Sequence, residues 1–148
     1  MADREHDIST LNSLIATTLD SADGYERAAE DATDAGLKQL FTTRGRERRG
    51  TVASLQSQVR ALGGTPEDEG TTLAAMHRVF LDLKKVVGND NKRVIEEVER
   101  GEDHIKAKFE SALKDTDITT ETRAVIQTAF TSVKSGHDQM SAMKRAAE

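Results

Sequence analysis

Apolar residues recur along this chain in steps of three and four, in four long stretches parted by turn residues. Over residues 8–32 the stripe is Ile8, Leu11, Ile15, Thr18, Ala22, Tyr25, Ala29 and Ala32. Alternating steps of three and four put side chains on one helical face, the seam of a packed bundle. Residues 35–62 repeat the pattern with Phe41, Gly45, Arg48, Val52, Leu55, Val59 and Leu62. Residues 91–114 carry Ile95, Val98, Glu102, Ile105, Phe109 and Ala112. Residues 120–147 carry Ile126, Ala129, Val133, Gly136, Met140, Met143 and Ala147. No stretch alternates with period two, so no strand is expected.

Four turn signals divide these stretches: Thr33-Asp34, Gly63-Gly64-Thr65-Pro66, Gly88-Asn89-Asp90 and Asp115-Thr116-Asp117. Asp34, Thr71, Asp90 and Thr119 are the expected N-caps. A shorter helical piece is expected over residues 72–87. The first and last links are short, so each should close an antiparallel hairpin. The connection over residues 63–90 is long. At ~1.5 Å per residue its helix covers about 24 Å, most of a bundle of roughly 40 Å. The third bundle helix would then run parallel to the second. The expected fold is one all-α domain over residues 1–148. It is a ferritin-like four-helix bundle with a crossover helix between the second and third bundle helices. Residues 1–7 are expected to be a flexible tail.

Composition narrows the chemistry. The 148 residues include no Cys, which excludes disulfides, Cys-ligated metal and a thiol nucleophile. Aromatics at 3% and a single Pro disfavour a β-sandwich or barrel. A net charge of -5 argues against nucleic acid as a partner. The polar N-terminus, Met1 to Thr10, lacks the apolar core of a signal peptide. No run approaches the roughly 18 apolar residues of a membrane span. A cytoplasmic setting and no membrane partner are therefore expected. There is no Gly-rich phosphate loop and no GxSxG turn.

The interruptions in the seams carry the candidate chemistry. Arg48 and Glu102 occupy mid-seam positions at matching distances from the starts of their helices. With those helices parallel, they meet as a buried ion pair. One turn nearer the first hairpin, Glu26, Arg44, Glu99 and His137 fall at one height beside the seams. Gly45 and Gly136 are close by. A seam glycine allows close helix approach or leaves room for a small ligand. Two readings of this layer stand. In one it is ionic, with Arg44 neutralising Glu26 or Glu99 and His137 donating to the other carboxylate. In the other, Glu26, Glu99 and His137 hold one divalent ion, Fe, Mn or Zn, which oxygen and nitrogen donors suit. Elsewhere His6 lies in the tail, His104 faces outward and His77 falls in the crossover. Met140 and Met143 belong to the seam of the last helix.

Several short runs together resemble a family of small bacterial four-helix-bundle proteins of largely unassigned function, placed in the ferritin-like superfamily. The runs are Leu11 to Asp31, Val59 to Glu67, Glu99-Arg100-Gly101-Glu102-Asp103 and Gly136-His137-Asp138. Di-iron proteins of that superfamily use one Glu from each of two helices and a Glu-x-x-His pair from each of the others. The resemblance implies Glu26 as the first Glu, Glu99 or Glu102 as the third-helix Glu and His137 as the last His. The chain departs from the set at Lys134, three residues before His137. It departs again on the second helix, where Glu47 is followed at that spacing by Gly50 and the inward positions are Arg44 and Arg48. A full di-iron centre is not expected. Lys134 and the arginine pair favour a non-enzymatic binding or assembly protein of a stress or housekeeping kind, with an ionic core of Arg44, Arg48 and Glu102. The alternative is a metal-binding protein with a mononuclear site and redox activity. A homo-oligomer, a dimer by preference, is expected through an exposed helix face.

Overall fold

The computed structural model describes residues 2–71 and 91–147. They form four helices: α1 (Ala2–Asp31), α2 (Ala35–Ala61), α3 (Asn91–Lys114) and α4 (Thr120–Ala147). No strand occurs among the described residues. The crossover helix expected over 72–87, the N-cap Asp90 and His77 lie outside them.

Local chemistry sets the helix ends. Asp34 has extended backbone, and its carboxylate accepts from the N–H of Leu37 at 2.8 Å. That satisfies one of the donors a helix start leaves free. The far end of α2 closes on Gly63, whose φ of 83° suits a residue with no β-carbon. The Gly64 N–H returns to the Val59 carbonyl and the Gly63 N–H to that of Arg60, both at 2.9 Å. This pair of bonds is the Schellman arrangement. Thr119 caps α4, its hydroxyl accepting from the Thr122 N–H at 3.3 Å.

Two apolar clusters fix the helix directions. One joins Leu11, Leu14 and Ile15 of α1, Leu55 and Val59 of α2, Ile105 and Phe109 of α3, and Ile126 and Val133 of α4. The other joins Tyr25 and Ala29, Leu37 and Phe41, Ile95 and Val98, and Met140. The first gathers the early half of α1 and α4 with the late half of α2 and α3. The second gathers the opposite halves. So α2 and α3 run one way, and α1 and α4 the other. Each of α1 and α4 packs against both α2 and α3. The pair α2 and α3 therefore faces across a diagonal of the bundle.

Residues 2–7 depart from the expected tail: they are the first turns of α1. Asp7 is fully buried, and it takes the Thr119 N–H at 3.0 Å and the Thr119 hydroxyl at 2.6 Å. Residues 63–71 lie along α1. Asn12 bonds the backbone of Thr65 and Glu67, and the carboxylate of Asp20 takes the Thr71 N–H and hydroxyl. The expected N-cap Thr71 is thus itself held by α1.

Candidate functional site

Between the two apolar clusters the bundle carries a polar layer. Arg48 is 0% exposed and Glu102 1%. Nη2 of Arg48 donates to both carboxylate oxygens of Glu102 at 2.8 Å. The pair crosses the diagonal from α2 to α3, a span that suits the long arginine stem. Nη1 of Arg48 reaches the Ser21 hydroxyl on α1 at 3.4 Å. The Tyr25 hydroxyl donates to Oε1 of Glu102, and the guanidinium sits 5.8 Å from the tyrosine ring centroid. Burial, and then the Glu102 charge, hold the Tyr25 phenol well above its usual 10.0. The Glu102 carboxylate, the Arg48 guanidinium and the Tyr25 phenol, joined by three hydrogen bonds, form one charge-neutral unit.

Arg44, one turn from Arg48, is also buried. Nη1 meets Glu47 at 2.5 Å, and Nη2 meets the side-chain oxygen of Gln139 on α4. The Nε–H groups of Arg44 and Arg48 are buried without an acceptor among the described residues. Both guanidiniums pack on Gly136 of α4.

A second network runs from α3 to α4. Nε2 of His137 faces Asp103 at 2.7 Å, and Nδ1 faces Asp138 at 3.1 Å. Asp138 also takes Lys134 at 2.8 Å. Glu99 is buried; Lys144 stands 3.7 Å from it. Burial, and then a hydrogen bond to Asp103, raise the Glu99 carboxyl above its usual value. Burial pushes Asp103 up too, but the bonds to Glu99 and His137 outweigh it, so Asp103 lies below the usual value.

Glu26 does not join this layer. Its two oxygens face Arg49 at 2.8 and 3.1 Å on the exposed side of α1 and α2, where Arg49 also donates to Asp23. Glu26 follows Tyr25 at the edge of the α1 seam, and an edge position turns to whichever neighbour offers a cation. Arg44 meets neither Glu26 nor Glu99. Glu99 and His137 do share a neighbour, Asp103. Among the described residues no group of three or more His, Cys, Asp or Glu side chains is arranged to hold a metal ion.

Sequence reasoning passed over Tyr25 and Asp103. The one tyrosine of the chain stands in an apolar seam, and a buried phenol needs a hydrogen-bond partner, which was the available signal. Asp103 gave none, being an exposed position whose carboxylate leans back to His137. Elsewhere an open groove of about 860 Å³ runs beside the contact of α2 with α4 and is lined by Gly50, Ser54, Ala61, Ala124 and Thr128, with Glu47 also in its wall.

The fold and this layer define an all-helical protein with four described helices and a buried arginine–glutamate–tyrosine unit. The chain belongs to the family described as Domain of unknown function (DUF2383), which matches residues 6–115. That span takes in Tyr25, Arg48 and Glu102 and ends at the α3–α4 turn. No curated protein matches the chain. Among the described residues no helix is long and apolar enough to cross a membrane.

Proposed function

We propose that this protein is a bacterial, cytoplasmic, ferritin-like bundle that acts by binding or assembly, with an ionic core where a di-iron protein carries its metals. The observation that carries the reading is the closed unit of Arg48, Glu102 and Tyr25. Glu102 is the inward carboxylate of α3, and both its oxygens already accept from these two partners. On α2 the inward positions hold guanidiniums. Like charges 4 Å apart cost about 4 kcal/mol at an effective dielectric near 20, so a cation in this layer is opposed. Glu26 is engaged by Arg49, and burial raises the Glu99 carboxyl above its usual value. The protein works as a homodimer in this reading, and light scattering reads the mass.

The alternative is one divalent ion, Fe, Mn or Zn. It would need Glu99, Asp103 and His137 as ligands, with Asp103 in place of Glu26. The test is metal analysis of the purified protein after incubation with Fe(II), Mn(II) or Zn(II) and desalting. Substoichiometric metal is the expected result. One ion per chain, lost in Glu99→Gln and in His137→Gln, would establish the alternative. Two ions per chain would contradict both readings.

A further inference from the structure

We propose that His6 and Asp115 form a pH-operated latch that fastens the first turns of α1 to the α3–α4 turn. Nε2 of His6 lies 2.6 Å from Oδ2 of Asp115, across 109 positions of sequence. Among the described residues from Asp3 to His6, His6 is the one whose side chain bonds another element. The next residue inward, Asp7, is buried against Thr119 and anchors α1 at that point. Opening the latch therefore releases the helix end up to Asp7 and leaves the bundle intact.

The turn is built to keep Asp115 ionised. Its Oδ1 accepts the Asp117 N–H at 2.8 Å. From α4, Arg123 donates to the Leu113 and Asp115 carbonyls at 2.5 and 2.6 Å, which places a cation behind the carboxylate. The Asp117 N–H first, and then His6, hold Asp115 below the usual carboxylate value. The groups facing His6 are Asp115 and Asp117 of the turn and Asp7 of its own helix. All three favour the imidazolium. The bond to Asp115 first, against the opposing effect of burial, raises His6 above 6.5.

The sign follows. A raised histidine pKa means that the closed state prefers the proton. The latch is tightest below 6.5 and loosens as pH rises through the higher folded value. Histidine is the side chain whose ordinary pKa puts such a change near neutrality.

Two measurements on the full chain test this: an NMR titration of the His6 ring, and native-state hydrogen exchange of amides 6–8, the first to bond back to described residues of α1, at pH 5.5 and 8.5, corrected for intrinsic rates. In the wild type the His6 pKa should exceed 6.5, and in Asp115→Asn it should fall back toward 6.5. Amides 6–8 should exchange faster at pH 8.5, by about tenfold for each pH unit by which the wild-type His6 pKa exceeds that of Asp115→Asn. His6→Gln should remove this pH dependence while amides of α2 keep their protection. Equal His6 pKa values in wild type and Asp115→Asn would overturn the proposal. So would the same exchange profile at both pH values in the wild type.

Discussion

A β-carbon on Gly136 would lie 2.5 Å from Nη2 of Arg48, well inside contact distance. It would also lie 3.1 Å from Nε and from Nη1 of Arg44. The glycine on α4 is thus the space that two guanidiniums from α2 fill. Arg48 cannot step aside without loosening its hold on Glu102. Overpacking of this kind costs ~1–3 kcal/mol. Alanine recovers about 1 kcal/mol over glycine inside a helix. Gly136→Ala should therefore lower stability in urea unfolding. Gly45→Ala is the contrast, since its β-carbon would meet its nearest neighbours at 3.5 Å, ordinary contact. That variant should be as stable as the wild type or more so. Equal losses from both would contradict the packing described.

Asp7 ties the start of α1 to the cap of α4 through two bonds to Thr119. Asp7→Ala leaves the Thr119 N–H and hydroxyl without that acceptor, at a cost of ~1–3 kcal/mol. Asp3→Ala, at an exposed position of the same helix, should stay within about 0.5 kcal/mol of wild type. A loss as small for Asp7→Ala would show that the first turns of α1 do not dock.

The single tyrosine makes the ionic core visible by ultraviolet titration. In the native protein the phenol should stay un-ionised well past pH 10, because burial and the Glu102 charge both oppose the phenolate. In denaturant it should titrate near 10. A folded pKa raised in this way adds stability below the unfolded value and loses it as pH rises through the folded one. Alkaline unfolding and phenolate absorbance should therefore appear together in the wild type. Tyr25→Phe should cost ~1.5–3 kcal/mol, the worth of a hydrogen bond to a charged group. A native phenol that titrates at 10 would contradict the buried contact.

The helix limits were legible because their causes are local. Asp34, Thr119 and Gly63 act on backbone groups within a few residues. The start of α1 was not legible. Residues 2–7 are polar, and their helix is held by Thr119 and Asp115, more than a hundred positions away in sequence. The meeting of Arg48 and Glu102 could be read because both break an apolar seam at mid-height. The place of Glu26 could not, because a seam-edge side chain is decided by helix rotation and by the reach of Arg49. The same limit hid Asp103, whose link to His137 depends on how α3 turns against α4. The crossover expected over 72–87 lies outside the described residues.

The central claim is that Arg48 and Glu102 hold the middle of this bundle as one unit. A double-mutant cycle with Arg48→Leu, Glu102→Leu and the combined variant measures it directly. Removing one partner strands the other's buried charge, so each single change should cost ~3–5 kcal/mol. The combined change leaves no orphan charge and should cost much less than the sum of the two. Additive losses, with the double variant as unstable as both singles together, would contradict the account.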